Sequence, residues 1–449
     1  MKSMCIAAAA CAGLWIAFGA AAQEPDSRGW VSAWTTAMQD PLPAGFPAGN
    51  PPTNSPQWAA MFNANRANDQ TFRQLVRPLA GGEKLRIRLS NLMGDKPVTL
   101  QNVSIAPRAA GREIVAASSR RLTFNGAARV TIAPGREIYS DTVDFKLEPE
   151  KDVAVTMHLV GDSGAITWHA KALVTSYMNG PGGGDRSGDA SGAMLPHEIR
   201  SWLWLAEIQA WRDTDRSTIV AIGDSITDGT ASTIDGHDRW PDVLNRRLRA
   251  AGSRHVVVNQ GIGGNRVAAL RWGPVIGGAI VPAAVQADMS GAYRTPQARC
   301  EACGEPAIVR LERDVFALPN VGALILFEGV NDVGAGASYG EIIAGMQDVV
   351  LRARARGIKV YGATITPYYG FAYDQAMPDI VRRQVNDWIR TSKVFDAVFD
   401  LDAVLRDPDY GSRLKPEFAA PDKIHPNPKG YAAIADAIPL AVLDPGQAK

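Results

Sequence analysis

The sequence predicts an α/β chain in which an antiparallel β-sandwich precedes a three-layer domain built on a parallel sheet. In the first half, turn residues separate short β-branched runs about every 8–12 residues, which is typical of sandwiches. The second half alternates compact apolar runs with amphipathic helical segments, which favours a parallel sheet with helices on both faces. The length of 449 residues fits about two or three domains.

The N-terminus has the pattern of an export signal. Lys2 supplies a positive start, and the apolar run of residues 5–22 ends in small residues before Gln23. We therefore expect residues 1–22 to be a signal peptide and the mature protein to be secreted or periplasmic. Cys11 lies too early in the run to favour a lipoprotein. No later stretch reaches about 18 consecutive apolar residues, so we expect no stable membrane insertion.

The predicted sandwich covers residues 28–212. Leu85, Ile87 and Leu89 alternate with arginines, which predicts a strand with one buried face. Other short strands are expected at residues 98–100, 103–105, 130–132, 153–155, 166–168 and 201–211. Because the alternation resumes after it, the glycine-rich stretch at residues 179–193 is expected to be a loop inside this part. The boundary is expected at the polar residues 212–216.

The predicted parallel-sheet domain covers residues 213–445. Its strands are expected at residues 218–222, 255–259, 323–327, 359–363 and 397–401. Its helices are expected at residues 240–250, 341–356, 381–392 and 430–442. In open sheets of this kind, sites form at the carboxyl ends of the strands.

Polar motifs follow three of these strands, and a fourth motif lies in the closing segment. Residues 223–229 read GDSITDG, residues 259–265 read NQGIGGN, residues 328–332 read EGVND and residues 422–426 read DKIHP. The first motif lacks the second glycine of an α/β-hydrolase elbow, and no strand end carries a P-loop. Glycine spacing in the second motif is a poor match to a dinucleotide fingerprint.

The charge balance argues against one class of partner. The 47 basic and 46 acidic side chains give a net charge of +1, whereas phosphate binding needs a basic surplus or patch. We therefore expect no nucleic-acid partner. Asp224, Asp228 and Asp332 are too scattered to indicate calcium, so we expect no metal site. The oligomeric state is not predicted.

Taken together and in this order, the four motifs resemble the motif blocks of the SGNH (GDSL-type) hydrolases, over about residues 217–445. The resemblance implies a flavodoxin-like fold for this domain and hydrolysis of carboxylic esters without a cofactor. The β-rich half followed by such a domain also resembles a group of secreted bacterial hydrolases with two domains.

The resemblance assigns a role to five residues. Ser225 matches the nucleophile, His425 the general base and Asp422 the carboxylate that orients the histidine. Gly264 and Asn331 match the oxyanion-hole positions, together with the backbone N–H of Ser225. A serine that follows a strand and opens a helix also suits a nucleophile independently, because the helix N-terminus favours developing negative charge.

Each of these residues also has a plainer interpretation when taken alone. Ser225 is typical of a helix N-cap, whereas Gly264, Asn331 and Asp422 are typical of turns. His425 has one serious rival as a base, His237, which lies in a loop twelve residues beyond Ser225. The remaining histidines lie in the β-rich half or at the wrong end of a strand; they are His158, His169, His197 and His255.

Residues 266–308 form a long stretch between the second and third motifs. It holds Cys300 and Cys303, for which we expect a local disulfide in an oxidising compartment. A zinc site lacks further ligands nearby, and a thioredoxin-type pair lacks the flanking strand and helix. The stretch is either a lid over the substrate site or a surface excursion.

Three functions follow from the resemblance. The first is removal of small O-acyl groups, such as acetyl, from a carbohydrate, by analogy with exported enzymes that carry a β-sandwich. The second is a lipid, lysophospholipid or general short-chain esterase, with the apolar residues 274–285 as an acyl-chain wall. The third is a carbohydrate-binding protein without turnover. The expected partner is a small-molecule or polysaccharide ester.

Overall fold

The computed structural model describes residues 29–41, 52–212, 217–268, 303–371 and 376–444. The predicted signal peptide lies outside these ranges, as does most of the predicted domain boundary. Across the described ranges, none of the helices combines the length and the apolar character needed to span a bilayer.

The N-terminal half is antiparallel β structure, as the sequence predicts. Its strands are β1 (Trp30–Thr35), β2 (Asn68–Val76), β3 (Gly82–Ser90), β4 (Val98–Ala110), β5 (Glu113–Ile114), β6 (Arg120–Arg121), β7 (Arg129–Ile132), β8 (Glu137–Tyr139), β9 (Val143–Leu147), β10 (Val153–Asp162), β11 (Trp168–His169), β12 (Ser176–Met178), β13 (His197–Ile199), β14 (Trp202–Leu203) and β15 (Leu205–Trp211). A short helix, α1 (Pro56–Met61), precedes β2.

These strands form two main antiparallel sheets. One has the order β1-β15-β3-β8, with β9 also paired to β3. The other has the order β13-β12-β2-β10-β4-β5, with β6 and β7 also paired to β4. Strands β11 and β14 make a separate pair, which lies close to the C-terminal half. Residues 179–193 form a loop between β12 and β13, as expected.

Four local expectations for this half are wrong. The strand predicted at residues 166–168 is shifted, since only Trp168 of that range lies in a strand, β11. Residues 98–100 and 103–105 belong to one strand, β4, whose register against β10 shifts at Asn102 (φ 50°), so a bulge separates the two apolar runs. Residues 201–211 form two strands, because Trp204 has a left-handed φ of 57°. Strand β3 is buried on both faces, since Arg88 pairs with Glu137 and Glu207.

The C-terminal half is built on a five-stranded sheet with the order β17-β16-β18-β19-β20, and every neighbouring pair is parallel. Its strands are β16 (Thr218–Gly223), β17 (Val256–Gly261), β18 (Val321–Phe327), β19 (Lys359–Ala363) and β20 (Ala397–Phe399). Its helices are α2 (Ser225–Asp228), α3 (Trp240–Ala250), α4 (Ala307–Leu311), α5 (Val330–Gly334), α6 (Tyr339–Arg354), α7 (Ala376–Thr391), α8 (Leu401–Leu405), α9 (Pro428–Ala437) and α10 (Leu440–Leu443).

Alternate residues of these strands pack into different cores, as expected for a sheet covered on both faces. Ile219 and Ala221 join a cluster with α3 and α9, whereas Val220 and Ile222 join a cluster with α6 and α7. The second cluster also contains the core of the antiparallel sheets, so apolar contacts continue from one half to the other. The predicted helix at residues 430–442 is two helices, because Pro439 cannot continue the first one.

Candidate active site

Ser225 opens helix α2 directly after strand β16. The helix is capped by Asp224, whose carboxylate accepts the backbone N–H of Ile226 at 2.8 Å. Asp224, and not Ser225, therefore fills the N-cap position. As the first residue of the helix, Ser225 has a backbone N–H without an acceptor inside the helix, and the residue is 6% exposed. The hydroxyl thus stands at the positive end of a helix, at the carboxyl edge of the sheet.

Asp422 and His425 share one loop ahead of helix α9. Asp422 Oδ1 accepts the backbone N–H of His425 at 3.0 Å, and Asp422 Oδ2 lies 2.6 Å from His425 Nδ1. Ala420 donates its backbone N–H to the carbonyl of His425 at 2.8 Å. These bonds fix both the backbone of the loop and the plane of the imidazole.

The loop brings His425 to Ser225 across 200 residues of sequence. His425 Nε2 lies 2.7 Å from Ser225 Oγ. Because an ionised carboxylate can only accept, His425 Nδ1 carries the proton and donates it to Asp422. Nε2 is then left as the acceptor of the Ser225 hydroxyl. This arrangement can withdraw a proton from Ser225 as the oxygen attacks a carbonyl carbon.

The charge of Asp422 is maintained by its hydrogen bonds. Partial burial raises its pKa, but the bonds from the side chain and backbone of His425 outweigh that effect and lower the pKa to about 2. The carboxylate therefore stays ionised throughout the range in which the protein would work.

Gly264 and Asn331 follow the two strands that neighbour β16, Gly264 in a turn and Asn331 in a short helix. Gly264 follows β17 in a turn and has a φ of 82°, which glycine adopts readily. Asn331 lies in α5, directly after β18, and its Nδ2 donates to the carbonyl of Asn265 at 2.9 Å. That bond fixes the Asn331 amide against the loop that holds Gly264.

Arg310 is fully buried beneath this loop and connects it to the sheet. It donates to Asn265 Oδ1 at 3.0 Å, to the carbonyl of Gln260 at 2.7 Å and to the carbonyl of Gly223 at 3.1 Å. Sequence analysis missed Arg310, because it lies in an ordinary amphipathic segment far from the four motifs. Its role is to hold the ends of β16 and β17 and the following loop in one arrangement.

A group of buried carboxyl groups surrounds Arg310. Burial raises the pKa of Asp224 to about 7, and the nearby charges of Asp332 and Asp228 add to the effect. Burial also raises the pKa of Asp332 to about 6, although its oxygens accept the backbone N–H groups of Val267 and Ala268. The pKa of Glu328 is raised by burial and by Asp224. The ionised forms of Asp224, Asp332 and Glu328 are thus disfavoured.

The rival base, His237, does not contact Ser225. Its Nε2 lies 3.8 Å from Asp152, and burial lowers its pKa. A histidine that the sequence had not suggested, His169 of the β-rich half, instead contacts the serine helix. Its Nε2 lies 3.0 Å from Oδ1 of Asp228, the last residue of helix α2. No sequence signal indicated this contact, because the two residues belong to different halves of the chain.

Parts of the predicted site lie outside the described residues. Residues 269–302 are among them, so Cys300, the apolar residues 274–285 and the proposed lid receive no structural account. Cys303 is disulfide-bonded, and its pairing with Cys300 stays a prediction. Within the described ranges, no group of three or more His, Cys, Asp or Glu side chains could hold a metal ion.

Comparison with known proteins identifies the C-terminal half. Residues 221–433 match the model of the GDSL-like lipase/acylhydrolase family and therefore form a domain of that family. This confirms the resemblance predicted from the four motifs and supports ester hydrolysis as the domain's general activity. The N-terminal β-rich half lies outside the match. No curated protein matches the chain significantly.

Among solved structures, the chain is similar to a GDSL-like lipase from Bacteroides thetaiotaomicron, with 15% identity over 51% of this chain and 89% of the other, and a TM-score of 0.34. It is similar to an α/β hydrolase from the metagenome of Lake Arreo, with 22% identity over 50% and 94% of the two chains and a TM-score of 0.35. The chain is also similar to an acetyl xylan esterase, with 18% identity over 49% of this chain and 96% of the other, and a TM-score of 0.32.

Proposed function

We propose that the chain is an exported serine ester hydrolase that works through Ser225, His425 and Asp422 and forms an acyl-enzyme. The observation that carries the proposal is the unbroken series of hydrogen bonds from Asp422 through His425 to Ser225 Oγ, at 2.6 and 2.7 Å. Such a series, at the carboxyl edge of a parallel sheet and in a GDSL-like domain, supports nucleophilic attack on a carbonyl carbon.

In the first half of the proposed reaction, Ser225 Oγ attacks the carbonyl carbon of an ester while its proton moves to His425 Nε2. Asp422 stabilises the imidazolium through Nδ1. The tetrahedral intermediate then expels the alcohol, which takes the proton from Nε2, and an acyl-Ser225 ester remains. In the second half, a water molecule gives its proton to Nε2 and attacks the acyl group, and Ser225 Oγ leaves with that proton.

The oxyanion of each tetrahedral intermediate is proposed to be stabilised by three donors, the backbone N–H groups of Ser225 and Gly264 and the side-chain amide of Asn331. Two features favour this set. Ser225 N–H stands at a helix N-terminus, and the Asn331 amide is held by Asn265, which Arg310 positions in turn. Fixed donors of this kind need little reorganisation when charge develops on the oxygen.

For the substrate, we propose a small O-acyl group, such as acetyl, on a carbohydrate. This part of the proposal rests on analogy with exported enzymes in which a β-rich part presents sugars to the site. Export itself is proposed from the apolar N-terminal pattern of residues 1–22.

The first experiment compares the wild-type chain with Ser225→Ala. The variant is expected to keep the thermal unfolding profile and to lose nearly all hydrolysis of an aryl acetate, because it lacks the attacking oxygen. A phosphonate that reacts with activated serines is expected to label the wild-type protein only. Unchanged turnover in Ser225→Ala would reject the nucleophile, and absence of labelling together with absence of turnover would favour a binding protein.

A second experiment tests the substrate class. The wild-type protein is offered acetylated sugars beside aryl esters of acetate, butyrate, octanoate and longer acids. Preference for acetyl groups and release of acetate from the sugars support the proposal. Preference for octanoyl or longer esters would instead favour the lipid esterase.

A further inference from the structure

We infer that His169, a residue of the N-terminal β-rich half, is a positioning residue for the oxyanion loop of the hydrolase site and acts through Asp228; this inference rests on the proposed function. His169 belongs to strand β11, and its side chain is 3% exposed. It is not among the four motifs, and it touches neither Ser225 nor His425 in the described contacts.

The contacts of Asp228 connect three parts of the site. Its Oδ1 lies 3.0 Å from His169 Nε2, and its Oδ2 accepts the backbone N–H of Gly263 at 3.1 Å. Gly263 immediately precedes Gly264, a proposed oxyanion donor. Asp228 is also the last residue of helix α2, which Ser225 opens. One carboxylate thus joins the β-rich half to the serine helix and to the oxyanion loop.

His169 has a hydrogen-bond partner at each ring nitrogen. Nδ1 lies 2.9 Å from the carbonyl oxygen of Ala37, and Nε2 faces Asp228. Burial raises the pKa of Asp228, but the charge and hydrogen bond of His169 and the charges of Lys171 and Arg239 outweigh burial and lower it. Because an ionised carboxylate can only accept, Nε2 donates to Asp228. His169 and Asp228 are consequently a buried, hydrogen-bonded imidazole–carboxylate pair.

The pair is shielded from water, and a lysine of the same segment lies beside it. The His169 ring lies 5.7 Å from that of Trp202, and both side chains are buried. Lys171 donates to Thr230 Oγ1 at 3.2 Å, and its Nζ lies 2.9 Å from where a Cβ of Gly263 would stand. If His169 no longer contacts Asp228, the buried carboxylate loses its main partner. We then expect its hydrogen bond with the backbone N–H of Gly263 to change.

Two substitutions of similar size separate this role from simple packing. In His169→Gln, the amide nitrogen can reach the position of Nε2 and still donate to Asp228. In His169→Asn, the amide nitrogen can reach only the position of Nδ1, next to Ala37. Both variants lose part of the buried ring, so a purely structural role predicts similar losses from both.

We expect His169→Asn to lower kcat for an aryl acetate by about 10–10²-fold, because small displacements of fixed groups have effects of this size. KM should change less than about threefold, since the loop acts on the transition state. His169→Gln should recover a large part of kcat. Rates are normalised to the serine sites that a phosphonate titrates, so unfolded protein does not count.

His158 provides the matched control. It is also buried in the β-rich half, and its Nε2 lies 3.0 Å from Asp69 Oδ1, away from the hydrolase domain. His158→Asn and His158→Gln should lower the unfolding temperature while leaving kcat per titrated site unchanged. The inference is overturned if His169→Asn keeps wild-type kcat, if His169→Gln is as impaired as His169→Asn, or if the His158 variants lose kcat equally. Failure of the proposed function looks different: the wild-type protein is then inactive, or Ser225→Ala is active.

Discussion

Gly261 lies where the end of β17 meets helix α2, and its replacement by alanine is expected to displace Ser225. A Cβ atom added at Gly261 would stand 2.2 Å from the backbone nitrogen of Asp228 and 2.7 Å from the carbonyl carbon of Thr227. Ordinary contact begins at 3.4 Å, so the shortfall is about 1.2 Å. Both atoms belong to the backbone and cannot swing away, so helix α2 or strand β17 has to move by about this distance.

The catalytic consequence follows from the distance between Ser225 Oγ and His425 Nε2. That hydrogen bond is 2.7 Å long, and a shift of about 1 Å takes it beyond hydrogen-bonding distance. Misplacement of about 1 Å costs about 10²-fold in rate, so we expect Gly261→Ala to lower kcat about 10²-fold. Overpacking should also lower the free energy of unfolding by about 1–3 kcal/mol.

Steady-state kinetics with an aryl acetate and thermal unfolding followed by circular dichroism measure the two effects. Gly340→Ala is the control, because a Cβ added there meets nothing within 4 Å and Gly340 lies in the first turn of α6. It should leave both kcat and the unfolding temperature unimpaired. A Gly261→Ala protein with wild-type kcat and an unchanged unfolding temperature would refute the reasoning about this contact.

Two further predictions concern the proposed oxyanion hole and the carboxylate. Asn331→Ala should lower kcat by about 10²–10³-fold, and a change confined to KM would contradict its role as an oxyanion donor. Asp422→Asn should lower kcat by about 10⁴-fold at neutral pH. Because folding lowers the pKa of Asp422 from 3.8 to about 2, its contribution to stability is present above pH 3.8 and is lost as the pH falls towards 2. The difference in unfolding temperature between wild type and Asp422→Asn should therefore shrink as the pH falls from 3.8 towards 2. A difference that stays constant from pH 4 to pH 2.5 would argue against a depressed pKa.

The elements of the C-terminal half could be predicted closely because their signals are local. The helix at Trp240–Ala250 and the strand at Lys359–Ala363 have the predicted bounds. Errors arose where backbone conformation depends on contacts that the local pattern does not contain. The left-handed Trp204 and the bulge at Asn102 are examples, since each is stabilised by pairing with strands distant in sequence.

By itself, the sequence determined the chemistry of the four motifs and their positions at the ends of apolar strands. It did so because the motif residues follow from short-range requirements: a glycine turn, a capped helix and a histidine held by a carboxylate three residues away. Only the tertiary structure decided which distant groups surround them. Arg310, which lies beneath the loop, and His169, from the β-rich half, reach the site through buried hydrogen bonds to residues distant in sequence. Such contacts act through space, so no pattern along the sequence indicates them.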